Sequence, residues 1–172
     1  MRLSRLLPLT LAACLAAACS TILQTKVHSD PAADFSKYKT FAVKQDRLQT
    51  ADQAWLTNQL TTRLEGKGLT PAASNPDLQI VTYSFRNQST SSTSGYGWWT
   101  GGLTTESTEN IPAGTLVVDL VDQGKVDPGH EQLVWRGMAI GTIPPTGGLK
   151  RDKVTLALDR LFSDYPPKKA KS

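Results

Sequence analysis

At 172 residues, 39% of them hydrophobic, the chain is sized for one core, since domains commonly hold about 100 to 150 residues. The formal charge is +4, but Arg2 and Arg5 sit in the leading segment and Lys168, Lys169 and Lys171 in the last five residues, so the remainder carries 14 Lys and Arg against 15 Asp and Glu. No cationic stripe is left for counterion release, which argues against a nucleic-acid partner, and the only cysteines, Cys14 and Cys19, lie at the front, which excludes an internal disulfide framework and a thiolate zinc site.

The chain opens with a cationic start at Arg2 and Arg5, followed by Leu6–Ala18, apolar or small apart from Pro8 and Thr10. A bilayer span takes about 20 apolar residues, so this run reads as the core of a secretory signal. Leu15-Ala16-Ala17-Ala18-Cys19-Ser20 resembles the lipobox of bacterial lipoproteins, whose cysteine is acylated and becomes the first residue after cleavage. Leu11-Ala12-Ala13-Cys14 competes with it but leaves a shorter signal, so Cys19 is preferred. The plainer alternative is an ordinary signal cut after one of these alanines, which leaves a soluble periplasmic protein. Each buried methylene of an attached acyl chain adds about 0.8 kcal/mol, and two or three chains hold stably. The lipobox resemblance further implies outer-membrane residence facing the periplasm, because Ser20 stands where inner-membrane retention favours Asp.

Ile22–His28 alternates loosely and predicts a first strand, Asp30–Asp34 a turn, and Thr40–Val43 a second strand. Thr50-Ala51-Asp52-Gln53 fits a capping box opening a helix on which Leu56, Leu60 and Leu64 recur every four residues, with Gly66 and Gly68 as its stop. Asp77–Phe85, Thr115–Val121 and Leu133–Ile143 are rich in strand formers. Along the first of these, Leu78, Ile80, Thr82 and Ser84 oppose Gln79, Val81, Tyr83 and Phe85, which predicts a sheet covered on one face. Val154, Ala157, Leu158, Leu161 and Phe162 form the stripe of a final helix ended by Pro166-Pro167. The expected fold is therefore α+β: a two-layer sandwich of a largely antiparallel sheet with two amphipathic helices on one face. The expected organisation is a signal peptide over 1–18, a lipidated start and short tether over 19–24, one domain over 25–167, and a flexible basic tail over 168–172.

The string Asp-Pro-Ala-Ala-Asp-Phe-Ser-Lys-Tyr-Lys-Thr-Phe-Ala at 30–42 resembles the opening of a bacterial lipoprotein family catalogued as domain of unknown function 4136. Pro76-Asp77-Leu78, then Gly114-Thr115-Leu116-Val117-Val118-Asp119-Leu120-Val121-Asp122, then Leu133-Val134-Trp135-Arg136-Gly137 and the closing Tyr165-Pro166-Pro167 agree with it in order. The resemblance implies a lipid-anchored envelope protein. Gln123–Gln132 departs from it as a longer link, which bears on the local hairpin alone.

Nucleophilic catalysis needs a Ser or Cys with a base in reach, yet the chain holds no Gly-x-Ser-x-Gly elbow, and His28 and His130 read as edge or surface residues. Asp119 with Asp122, or Glu106 with Glu109, are the nearest carboxylate pairs for acid–base work on an envelope glycan or lipid. The competing structural reading makes Asp119 a cross-strand partner of Arg136, worth about 0.2 to 1 kcal/mol, and Asp122 a turn residue. Trp135-Arg136-Gly137 reads as a packing unit. The most suggestive segment is Ser89–Leu103, where Tyr96, Trp98 and Trp99 stand among glycines. Three readings of these aromatics stay open: a lid on the sheet edge, insertion at the membrane interface, or the grip on an envelope protein or glycan. No motif calls for a cofactor or metal. The function expected is a non-catalytic binding or structural module tied to the membrane by lipid, with an envelope hydrolase as the alternative.

Overall fold

The computed structural model describes residues 22–44, 50–93, 107–123 and 132–167. In chain order the elements are β1 (Gln24–Ser29), β2 (Thr40–Lys44), α1 (Thr50–Glu65), β3 (Thr70–Pro71), β4 (Leu78–Phe85), β5 (Ser89–Thr93), β6 (Ser107–Ile111), β7 (Thr115–Asp122), β8 (Gln132–Ile140) and α2 (Arg151–Phe162). Six strands form one sheet in the order β1-β8-β7-β4-β2-β3, and β5 pairs with β6. The pairs β1–β8, β8–β7 and β7–β4 are antiparallel, whereas β2 runs parallel to both β3 and β4, so the sheet is mixed. The α+β expectation holds, with both helices on one face.

That face is dictated by two periods meeting. Leu56, Leu60 and Leu64 of α1 and Val154, Ala157, Leu158, Leu161 and Phe162 of α2 share one buried cluster with Leu78, Ile80, Leu116, Val118 and Leu120 from alternate strand positions. The stripe predicted for α2 is the set of residues that α2 buries. Helix α1 stops at Gly68, whose φ of +86° suits glycine, with Leu69 N–H donating to Leu64 O at 3.1 Å and Gly68 N–H to Glu65 O at 2.9 Å. Asp52, in the first turn of α1, accepts Leu149 N–H at 2.9 Å and pairs with Arg151 at 3.3 Å, which joins the start of one helix to the start of the other. The Arg151 guanidinium also lies 5.3 Å from the centre of the Trp55 ring.

Asp77 explains why β2 lies where it does. Its Oδ2 accepts the N–H groups of Lys39 and Thr40, both at 2.8 Å, while its own N–H donates to Thr40 Oγ1 at 2.9 Å. These bonds fasten the entry of β2 beside that of β4, and the parallel register follows from Phe41 opposite Leu78.

Strands β4 and β7 continue past the sheet as an arm. Phe85 faces Thr115 and Ser89 faces Ile111, so β5 and β6 keep the register of β4 and β7 across a three-residue interruption on each side. The interruption is fastened to the loop that precedes α2. Gly114, at φ +77°, offers its carbonyl to the N–H groups of Gly141, Thr142 and Ile143 at 3.0 to 3.1 Å, and Arg86 donates to Pro144 O at 2.7 Å and Gly147 O at 2.6 Å. Residues 124–131 lie outside the description, but β7 and β8 pair along their length up to Asp122 and Gln132, with one irregularity at Leu120/Val121. The hairpin on which the longer link bears is therefore formed.

Candidate functional site

The Trp135-Arg136-Gly137 unit sends its side chains to both faces of the sheet. Trp135, 1% exposed, lies along its own strand over Gly137, where an added Cβ would stand 2.5 Å from the ring. Glycine is needed for that room, not for its backbone freedom. The ring stacks on Phe162 at 5.1 Å between centroids and meets Tyr165 edge-on at 6.1 Å. Burial raises the Tyr165 hydroxyl above its ordinary pKa.

Beside this cluster, between β1 and the end of α2, lies a groove of about 600 Å³. Its walls are largely apolar, formed by Val27, Trp135, Leu161, Tyr165 and Pro166 among others, with Arg160 and Asp164 at its rim. No reading of the sequence pointed to this groove, because its walls come from segments more than a hundred residues apart. The one available signal was the pairing of an apolar position on the first strand with aromatics that close the chain.

On the opposite face Arg136 grips Asp119 through two bonds, Nε to Oδ1 at 2.8 Å and Nη2 to Oδ2 at 2.7 Å. The cross-strand partnership expected from the sequence is present, and it is deeper than a surface pair, at 3% exposure for Asp119 and 6% for Arg136. A small cluster of Ile111, Val117 and Met138 shares that face. Asp122 belongs to the helix-covered side and accepts the Tyr38 hydroxyl at 3.0 Å. Burial, and then this bond, raises the Tyr38 pKa. Asp119 and Asp122 therefore point to opposite faces and are not the converging carboxylates that glycoside chemistry requires. Reading Asp122 as a turn residue is corrected likewise, since it ends β7 and anchors Tyr38.

His28 sits exposed on β1, opposite Arg136 in register. Glu109 lies on β6. Cys14, Cys19, Tyr96, Trp98, Trp99, Glu106 and His130 lie outside the described residues. Among the described residues no three His, Cys, Asp or Glu side chains are grouped to hold a metal, and no described helix is long and apolar enough to cross a membrane.

The strand register fixes one further relation. Gln24, Ile140, Thr115 and Phe85 form one row across β1, β8, β7 and β4. The chain enters β1 at Gln24 and the arm departs from Phe85 and Thr115, so both lie at the same end of the sheet. Residues 94–106 join the far ends of β5 and β6.

A family model described as Domain of unknown function (DUF4136) matches residues 25–167. A DUF4136 family protein from Bacteroides thetaiotaomicron is similar in structure, with a TM-score of 0.55 at 18% identity over 83% of this chain and 94% of that one. A PDZ domain protein from Parabacteroides distasonis gives 0.55 at 20% identity over 86% of this chain, which spans only 36% of that longer protein. A PelC dodecamer from Paraburkholderia phytofirmans gives 0.45 at 15% identity over 83% and 95% of the two chains. No curated protein matches the chain.

Proposed function

The chain belongs to the DUF4136 family, and from that premise we propose that it is a lipid-anchored, non-catalytic module of the cell envelope, held through Cys19 at the outer membrane and facing the periplasm. Tyr96, Trp98 and Trp99 add a second contact with that membrane's interface. The lipobox supports the anchor. The observation that carries the second contact is the shared row from Gln24 to Phe85, which sets the tether and the arm at one end of the sheet.

The lengths agree with this arrangement. Five Cα–Cα steps lead from Cys19 to Gln24 and reach at most about 18 Å when fully extended. The arm runs from Phe85 to Thr93, which at strand rise is about 26 Å. A domain tethered so closely carries its arm toward the bilayer that holds the lipid. Trp and Tyr suit that depth, because their rings are apolar and their N–H and O–H groups still meet water.

The test replaces Cys19 with Ser and, separately, Trp98 and Trp99 with Ala. Loss of palmitate labelling and release from the membrane fraction are expected for Cys19→Ser, and unchanged labelling rejects the anchor. The Cys19→Ser chain is then mixed with phosphatidylethanolamine–phosphatidylglycerol vesicles. Residual vesicle binding should fall when both Trp residues are Ala, and equal binding rejects the second contact.

A further inference from the structure

Strand β1 is an edge of the sheet with β8 as its neighbour on one side, and its backbone groups can be assigned from the register. Asp30 N–H donates to Val134 O at 2.9 Å, and the two residues continue the pairing that sets His28 opposite Arg136. In an antiparallel ladder the hydrogen-bonded pairs alternate, so Gln24, Lys26 and His28 bond toward β8. Thr25, Val27 and Ser29 then direct their N–H and C=O groups outward, where no described strand meets them.

Sheet edges are normally blunted by charge, proline or a bulge. Strand β1 carries one such charge, Lys26, on the face away from the groove; Thr25, Val27 and Ser29, whose backbone groups point outward, supply neither charge nor proline, and Val27 is 46% exposed. The side chains of Val27 and Ser29 also line the groove beside Trp135, Leu161, Tyr165 and Pro166. One strip of chain thus offers directional backbone partners and an apolar recess, side by side and in phase. We propose that the outer edge of β1 takes up an extended segment of another polypeptide as a seventh strand, with an apolar side chain in the groove and acidic side chains beside Lys26.

The pattern of the segment follows from the pleat. Side chains of an added strand alternate between the groove and the opposite face, where Lys26 and His28 flank the edge and carboxylates complement the lysine. On the groove side Arg160 and Asp164 stand at the rim and the floor is apolar, which favours Val or Leu. An alternating acidic–apolar strand satisfies both. Pairing of β1 with the β1 of a second copy does not fit, a step that rests on the proposed anchor. Antiparallel pairing of β1 with itself would send the two Gln24 ends in opposite directions, whereas both lipid tethers must enter one membrane.

The experiment uses the full chain in detergent micelles and a fluorescein-labelled seven-residue peptide alternating Glu and Val, read by anisotropy. A lysine–valine peptide and a glutamate–valine peptide N-methylated at alternate amides are the controls. The acidic peptide should bind, and the methylated form, which keeps the side chains but loses donors to the edge, should bind at least about tenfold more weakly. Val27→Pro removes an outward N–H that β8 does not use and should lower affinity by a similar factor, with a circular-dichroism melt reporting that the sheet is kept. Lys26→Glu, which leaves the backbone alone, should weaken the acidic peptide about fivefold and favour the lysine peptide. Equal binding of the methylated and unmethylated peptides overturns the proposal, as does Lys26→Glu without effect. Sedimentation showing a dimer of the full chain that Val27→Pro dissolves overturns it in favour of a second copy. Peptide binding retained by Cys19→Ser separates this site from the anchor, so either can fail alone.

Discussion

Replacing Gly137 with alanine places a methyl group where the Trp135 ring already lies. The added Cβ would stand 2.5 Å from Cη2 and 2.9 Å from Cζ3 of that ring, and 3.1 Å from Cδ1 of Leu161. A flexible side chain could step aside, but this ring is stacked on Phe162 and bounded by Tyr165. Forcing an extra carbon into a packed core costs about 1 to 3 kcal/mol. Lower unfolded-state entropy of alanine returns about 0.4 to 1 kcal/mol, and the middle of the two ranges leaves a loss of about 1.3 kcal/mol. At about 2 to 4 °C per kcal/mol for a domain of this length, the melting temperature should drop by about 3 to 5 °C. Urea unfolding followed by far-UV circular dichroism measures it, with a lower midpoint and an unchanged slope. The cycle with Trp135→Leu gives the decisive reading: once the ring is gone, the cost of Gly137→Ala should shrink below about 0.5 kcal/mol. A Gly137→Ala chain as stable as the parent, or a cost that Trp135→Leu leaves unchanged, refutes the reasoning.

Two further outcomes follow from buried polar groups. Asp119→Ala removes the buried carboxylate that pairs with the Arg136 guanidinium in the sheet and should cost about 3 to 5 kcal/mol, whereas the double change Asp119→Leu with Arg136→Met should recover most of it, both read from urea midpoints. The Tyr38 and Tyr165 hydroxyls have folded-state pKa values above the unfolded one, so the folded chain keeps protons that the unfolded chain releases. Their contribution is present in full below about pH 10 and is lost as pH climbs beyond it. Urea midpoints measured upward from about pH 9 should fall, and Tyr165→Phe should flatten that fall; an unaltered slope counts against the assignment.

What could be read before the structure was what local periodicity records. Both helices are legible because their apolar residues recur at helical spacing, and β4, β7 and β8 because branched and aromatic residues gather in short runs. The arm was missed for the opposite reason. Ser89–Thr93 and Ser107–Ile111 are mostly Ser, Thr and Asn or Glu, and they become strands by inheriting the register of β4 and β7. The parallel placement of β2 was equally hidden, since it depends on Asp77 reaching back to Lys39 and Thr40. Asp119 and Arg136 were matched by charge and strand position, but their burial depends on both neighbouring strands. The groove combines the first strand with the last helix, and no window along the chain contains both. Cys19 and the Tyr96–Trp99 aromatics fall outside the described residues, so their reading stays with the sequence motifs and with the register that surrounds them.

The pairing of the first strand with the last has a kinetic side. His28 faces Arg136, so β1 gains its one described partner strand after more than a hundred further residues have left the ribosome. Contacts so distant along the chain are slow to form, and the loop-closure entropy they cost is repaid only at the end. A growing chain can gather α1 and the β2–β4 unit early, yet it cannot complete its sheet until nearly everything has been synthesised.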